Sequence, residues 1–189
     1  MDDLKIIESC LLGNTQMFSQ LIDKYKNMVY NLAYRMSNNN PQEAEDISQE
    51  AFLRAYQSLA RFNPAYKFST WLYQITLNII RDRFKKKELN SISLDAPTKT
   101  ADAEEFYPQP VDLTTNPEEI ITRREDSQKI LQAIHSLPLK YREVIILRHL
   151  QDLSYTEIGN ILKLSPGTVK ARLYRAREQL KKILSDGVS

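Results

Sequence analysis

The chain has 189 residues, enough for one domain or two small ones, and its 42% hydrophobic and 26% charged residues mark a soluble globular protein, not a disordered one. A formal net charge of +2 hides a partition: residues 1–87 carry 12 basic and 9 acidic groups, residues 88–119 carry 1 and 8, and residues 120–189 carry 13 and 7. Two basic blocks around an acidic connector point to a polyanionic partner, while no apolar run reaches the length of a membrane span and a lone cysteine, Cys10, excludes an internal disulfide.

The first block reads as all helix. Residues 3–12 form a short helix ended by Gly13-Asn14, with Ile6, Ile7 and Cys10 on one apolar face. Burial is expected for Cys10 in preference to reactivity. From Thr15 to Met36 the positions Phe18, Leu21, Ile22, Tyr25, Val29, Leu32, Ala33 and Met36 keep helical spacing. Asn38-Asn-Asn-Pro41 breaks that helix, and Pro41 suits the first turn of the next, over 41–59. That helix is acidic at its start and basic later, as the helix dipole favours. Phe62-Asn-Pro-Ala-Tyr-Lys-Phe68 reads as a loop, with Phe68 expected in the core and Tyr66 exposed. Ser69 is the expected cap of a helix from Thr70 to about Lys87.

Residues 89–119 hold four prolines among Ser, Thr and acidic side chains. This composition predicts a flexible acidic linker. Asn116-Pro117-Glu118-Glu119 then opens a second helical block. In it, Ser154 and Glu157 have the spacing of a capping box. Ile158, Ile161 and Leu162 form an apolar stripe. Ser165-Pro-Gly167 is expected to stop this helix and Thr168 to open the last one.

At about 100° per residue, Val169, Leu173, Ala176, Leu180 and Ile183 share one side of the last helix. Lys170, Ala171, Tyr174, Arg175 and Glu178 fall on or near the other. A short turn before a basic outer face is the pattern of a helix-turn-helix, and it points to duplex DNA. Arg and Lys suit guanine edges, and an apolar or aromatic edge suits a thymine methyl. Arg172, Arg177, Lys181 and Lys182 sit at the flanks or the far end, where phosphate contact is expected.

Three segments carry a family resemblance. Pro41-Gln-Glu-Ala-Glu-Asp-Ile-Ser-Gln-Glu-Ala-Phe-Leu-Arg-Ala-Tyr56 resembles the most recognisable stretch of bacterial sigma factors, and so does Lys67-Phe-Ser-Thr-Trp-Leu-Tyr-Gln-Ile-Thr-Leu-Asn78-Ile-Ile-Arg-Asp82. With the C-terminal helix-turn-helix, the chain is similar to the extracytoplasmic-function group of the sigma-70 family, in its sigma-W-like branch. The resemblance implies an all-α chain of two small helical domains joined by the linker. Residues 1–88 would be region 2, a helical bundle that binds core polymerase and reads and melts the −10 element. Residues 120–189 would be region 4, which reads the −35 element.

The resemblance also implies site residues. Asp46, Gln49, Glu50, Arg54 and Tyr56 would meet the clamp helices of the largest polymerase subunits. Phe62, Asn63, Tyr66, Lys67, Ser69, Trp71, Asn78, Arg81 and Arg83 would handle −10 DNA, with Lys85, Lys86 and Lys87 adding charge. For Trp71, core packing and base contact are both open. Thr168, Lys170, Ala171, Arg172, Tyr174, Arg175 and Arg177 would hold −35 DNA. The linker would run through the polymerase cleft. Expected partners are the beta and beta-prime subunits of core RNA polymerase, promoter DNA and an anti-sigma factor, which is membrane-bound in many relatives. A cytoplasmic, nucleoid-associated location follows.

Neither catalysis nor a cofactor is expected. His135 and His149 lack companions at metal-ligand spacing, and no phosphate loop, nucleophile elbow or dinucleotide fingerprint occurs. The alternative is a stand-alone helix-turn-helix regulator. It would be a dimer on two-fold sites and would leave residues 41–83 without a task.

Overall fold

The computed structural model describes residues 2–92 and 123–186, and every regular element within them is helical. Residues 93–119 of the expected linker, and the expected opening of the second block, lie outside the described residues. Helix α1 (Asp3–Leu11) buries Ile6, Ile7 and Cys10 as expected. Burial pushes the Cys10 thiol up from its ordinary pKa. Gly13, at φ 103°, makes the turn that follows. At the surface Asp3 accepts from Lys24 Nζ at 2.6 Å and from the Tyr25 hydroxyl at 2.5 Å, tying α1 to the next helix.

The stretch expected to be helical from Thr15 opens as a 3-10 turn, Thr15–Met17, and α2 proper runs Phe18–Met36. Its buried stripe is Phe18, Leu21, Val29, Leu32, Ala33 and Met36. Ile22, read as part of that stripe, is instead exposed. The break after α2 is local side-chain chemistry. Ser37 Oγ donates back to the Ala33 carbonyl at 2.7 Å, and Asn38 and Asn39 both adopt left-handed backbone, which asparagine tolerates. The Asn40 side chain then accepts from Glu43 N at 3.1 Å, with Pro41 in the first turn of α3.

Helix α3 (Pro41–Gln57) turns Ala44, Ala51 and Ala55 inward beside Ile47 and Phe52. These small side chains let it lie close against α2. Leu59–Arg61 forms a separate 3-10 turn where the last turn of α3 was expected. Helix α4 (Phe68–Ile92) differs from expectation at both ends. It starts at Phe68, so Ser69 lies inside it and does not cap it. Phe68 is almost fully buried, with ring centroids of Tyr25, Phe62 and Trp71 within 5.5–5.8 Å, and that packing sets the helix start. At the other end α4 passes Lys87 and continues through 89–92, residues assigned above to the linker.

The C-terminal half comprises α5 (Arg123–Ser136), α6 (Leu139–Ile145), α7 (Tyr155–Leu162) and α8 (Pro166–Asp186). A π-turn, Ile146–Leu150, extends α6. The capping box forms: Ser154 Oγ accepts from Glu157 N at 3.2 Å, and Glu157 Oε2 accepts from Ser154 N at 3.1 Å. The stop of α7 lies earlier than Ser165-Pro-Gly167. Lys163 takes left-handed backbone, and Leu164 N donates to the Gly159 carbonyl at 2.9 Å. The last helix also starts earlier than Thr168. Ser165 Oγ caps it by accepting from Thr168 N at 3.2 Å, and Pro166 supplies the first turn. Val169, Leu173 and Ala176 are buried as expected, with Leu180 and Ile183 partly so.

The two halves share one continuous apolar core. Helix α4 touches α2 and α3 in its own half and α7 in the other, while α2 touches the π-turn. This explains why α4 buries Leu72, Tyr73, Thr76, Leu77, Ile79 and Ile80 around more than one side. It also explains why the run Tyr141–Leu147 is buried throughout, including the charged pair Arg142 and Glu143. The Arg142 guanidinium sits over the Phe84 ring and donates to the carbonyls of Met36, His135 and Leu137. A cation is thus placed at the C-terminal ends of both α2 and α5, where exposed carbonyls favour it.

Candidate protein-docking and nucleic-acid surfaces

The five residues expected to meet polymerase spread over a broad arc of α3. Asp46 and Gln49 are exposed. Tyr56, 40% exposed, sets its ring against Phe18 at 5.2 Å in an edge-on contact. Gln49 and Tyr56 then border a cleft of about 530 Å³ whose walls include Ile22, Tyr30 and Leu53. Leu53 is 56% exposed on a helix that buries Ala44, Ile47, Ala51, Phe52 and Ala55. Glu50 and Arg54 lean the other way, toward α4. Glu50 accepts from Arg83 at 2.9 Å and from Arg54 at 2.6 Å, and Arg54 lies 3.6 Å from Asp82. The Arg83 hydrogen bond, more than any other contact, holds the Glu50 carboxyl below its ordinary pKa.

The sequence reading placed Ile22 in the buried stripe of α2 and did not single out Tyr30 and Leu53. Their signal is apolar side chains at positions that the buried stripes of α2 and α3 leave out.

The second surface is the loop 62–67 with the start of α4. Phe62, Phe68 and Trp71 form one aromatic cluster, with Phe62 and Trp71 5.3 Å apart. Trp71 is half-buried, so packing uses one part of its ring and leaves another accessible. Asn63 Oδ1 accepts from Ala65 N at 2.9 Å and shapes the loop tip. Phe62, Asn63, Tyr66 and Trp71 open onto a cavity of about 600 Å³. Its opposite wall is the end of α7 and the following turn, with Asn160, Lys163 and Leu164. Ser69 is half-buried and Asn78 exposed further along α4.

Four cations of this surface, Lys67, Arg81, Arg83 and Lys87, are engaged. Lys67 lies 3.3 Å from Glu157 and Arg83 pairs with Glu50. Arg81 donates through Nε and Nη2 to the two oxygens of Glu143 at 2.6 and 3.0 Å, and to Asn78 Oδ1 at 3.2 Å. Lys87 reaches Glu43 at 2.8 Å, while Lys85 and Lys86 are exposed. Nearby, the Tyr73 hydroxyl donates to Gln151 Oε1 at 3.1 Å. Burial first, and the Glu157 charge second, push that phenol up to about 12, so it remains a donor.

The third surface is the outer side of α8. Thr168, Lys170, Tyr174 and Arg177 are exposed, and Ala171, Arg172 and Arg175 half-exposed. Arg177 stands 3.3 Å from the His149 ring nitrogen Nε2. Burial and the Arg177 charge hold His149 below its ordinary pKa. No group of metal-ligating side chains occurs among the described residues, and no described helix is long and apolar enough to cross a membrane.

Residues 21–89 match the family Sigma-70 region 2, and residues 127–180 match Sigma-70, region 4. The chain is 43% identical over 182 residues to the ECF RNA polymerase sigma factor SigW of Bacillus subtilis, covering 96% of each chain. It is 32% identical over 181 residues to the ECF RNA polymerase sigma-E factor of Escherichia coli K12, covering 95% of this chain and 93% of the other. Two solved structures share the fold at 23% identity. CnrH in complex with the cytosolic domain of CnrY superposes with a TM-score of 0.66 over 97% of both chains. The sigma factor RpoE in complex with the anti-sigma factor NepR, from Bartonella quintana, gives 0.64 over 89% of this chain and 96% of the other.

Proposed function

The chain belongs to the sigma-70 family, in its extracytoplasmic-function group of RNA polymerase sigma factors, and from that premise we propose how its three surfaces divide the work. Residues 1–88 bind core RNA polymerase and take the −10 element, residues 89–119 connect, and residues 120–189 take the −35 element. The protein acts by binding alone, in the cytoplasm, with no catalytic step of its own. Core polymerase, promoter DNA and an anti-sigma factor are its partners.

The observation that carries the polymerase assignment is the cleft between α2 and α3. It is apolar inside, and Gln49 lies on its border with Asp46 on the same exposed side of α3. Such a groove suits one helix of a coiled coil, with apolar side chains entering it and basic side chains meeting Asp46. Glu50 and Arg54 support the surface from behind, through their contacts with α4. At the second surface, the Phe62 and Trp71 rings and the Asn63 and Tyr66 side chains supply walls and hydrogen-bonding groups for an unstacked base. At the third, Lys170, Ala171, Tyr174 and Arg175 read base edges while Thr168, Arg172 and Arg177 hold phosphates.

The test is binding to a fluorescent promoter fragment with and without core polymerase, read together with run-off transcription. Specific complexes and transcripts that need core polymerase, and are lost with Asp46→Arg, are expected. Tight specific binding by the free chain, with no transcript on adding core, would overturn the reading in favour of a stand-alone regulator.

A further inference from the structure

His149 lies outside the helix assigned to −35 DNA, yet it touches one of that helix's exposed cations. It sits near the end of the π-turn Ile146–Leu150. This turn buries Ile146 and Leu147, half-buries Leu150 and leaves His149 exposed. Its neighbour Arg148 is committed to the loop that follows. Arg148 donates through Nη1 to the Leu153 carbonyl at 3.0 Å, and its guanidinium lies over the Tyr155 ring at 5.3 Å. His149 points to α8 instead, where its Nε2 stands 3.3 Å from Arg177 Nη2.

A guanidinium only donates, so in this contact the ring nitrogen accepts. An accepting Nε2 means a neutral imidazole with its proton on Nδ1. The surroundings favour that form. Loss of water on its packed side comes first in lowering the His149 pKa, followed by the charges of Arg177 on α8 and Arg148 in the turn, while Asp152 opposes them. Arg177 is exposed at the flank of α8, which sets the pair beside the backbone of a bound duplex and away from its base edges.

We propose that His149 and Arg177 form one site for a DNA backbone phosphate, in which the imidazole releases the guanidinium, takes a proton from solvent and donates to the phosphate, so that duplex binding consumes a proton. This rests on the −35 reading above. In the free chain Arg177 spends an N–H on a neutral ring. A phosphate oxygen is a stronger acceptor for that N–H, because it is charged. The released Nε2 lone pair then faces the same oxygen and repels it until the nitrogen is protonated. Once protonated, the ring adds a second charge-assisted hydrogen bond. The phosphate also offsets the Arg177 charge that opposed protonation, so the His149 pKa is higher in the complex than in the free chain. The sign follows. The added affinity is full below the free-chain pKa and is lost as pH rises through the bound value. That window lies around the ordinary histidine value of about 6.5.

The experiment titrates the full chain by anisotropy against a −35 duplex and a scrambled duplex, from about pH 5.5 to about pH 8 at fixed ionic strength. His149→Gln runs beside it, since its neutral amide can meet Arg177 but does not titrate. The other histidine, His135, is held at the Arg35 carbonyl and is present in both chains, so its own titration cancels. Thermal melting shows that both chains are folded across the range. The wild type is expected to bind both duplexes roughly tenfold more tightly at the acid end, the scale of one charge-assisted hydrogen bond. His149→Gln is expected to be flat and to match the wild type at the alkaline end. The His149 ring, followed by NMR, is expected to show a higher pKa with duplex present. An unchanged ring pKa on adding duplex, or an equal acid gain in both chains, would overturn the site. So would an acid gain confined to the −35 sequence, which would make His149 a reader of bases. No preference for the −35 duplex at any pH, alone or with core polymerase, but with the acid gain intact, would instead sink the −35 reading and leave the phosphate site standing.

Discussion

Glu50 on α3 accepts from Arg83 on α4 at 2.9 Å, and Arg54 grips its other oxygen at 2.6 Å. An acid expected to face polymerase is thereby committed to joining two helices of its own half, while Asp46, one turn earlier, remains exposed. The two acids should therefore respond differently to substitution. Glu50→Gln is expected to lower stability by about 1 kcal/mol, since it weakens a partly exposed, two-cation network. Asp46→Arg should leave the melting temperature unchanged and abolish capture by core polymerase. Thermal melting and a pull-down with core polymerase separate the two effects. The pH dependence follows from the lowered Glu50 pKa. The stabilisation is full above the ordinary carboxylate pKa of about 4.3 and is lost as pH falls through the depressed folded value. Acid titrations of the wild type and of Glu50→Gln should converge at the acid end.

Leu53 gives a cleaner probe of the α2–α3 cleft. It is 56% exposed, so Leu53→Glu removes little buried area and should change stability by no more than about 0.5 kcal/mol. In a docked helix the same side chain would be desolvated, and an unpaired carboxylate there is strongly unfavourable. Loss of core-dependent transcription with normal −35 duplex binding is expected. Full transcription by Leu53→Glu would remove the cleft from the polymerase interface.

What could be read from sequence was what neighbouring residues decide among themselves. The Ser154–Glu157 box joins each side chain to a backbone three residues away, and it formed, as did the helix start with Pro41 in its first turn. The buried side of α8 followed from spacing alone. The start of α8 is also written locally, in the Ser165 cap and Pro166, three residues ahead of the expected opener Thr168. The start of α4 was not local. Phe68 is drawn into the helix by Tyr25, 43 positions earlier, and by Phe62 and Trp71. The contact between the halves left almost no trace, because Arg81 and Glu143 are 62 positions apart and follow no periodicity. Its one hint is a charged pair, Arg142-Glu143, inside the otherwise apolar run from Tyr141 to Leu147.

Gly159 should be intolerant of even one methyl group. A Cβ there would lie 2.7 Å from the Leu164 carbonyl oxygen, a backbone atom that cannot rotate away. The same glycine's carbonyl receives Leu164 N, so relief of the clash must open the turn between α7 and α8. Gly159→Ala is expected to cost about 1–3 kcal/mol by overpacking. Because the turn sets how α8 projects, −35 duplex binding should fall by more than the stability loss explains. Melting and duplex titration at a temperature where the variant is folded test this. Wild-type affinity in the folded variant would show that the turn has slack.

The outer side of α8 separates readers of sequence from holders of phosphate. Tyr174 is 45% exposed near the middle of that side, while Arg177 lies at its flank beside His149. Tyr174→Ala should cost about 1–3 kcal/mol on the cognate −35 duplex and much less on a scrambled one, narrowing the preference between them. Arg177→Ala should weaken both duplexes alike and reduce the slope of log affinity against log salt by about one unit. Removing Arg177 also takes away a charge that holds His149 down, so the His149 pKa should rise toward its ordinary value. Titrating both duplexes at several salt concentrations, with the His149 ring followed by NMR, checks all three outcomes. If Arg177→Ala changed sequence preference and left the salt slope intact, the two roles would have to be exchanged.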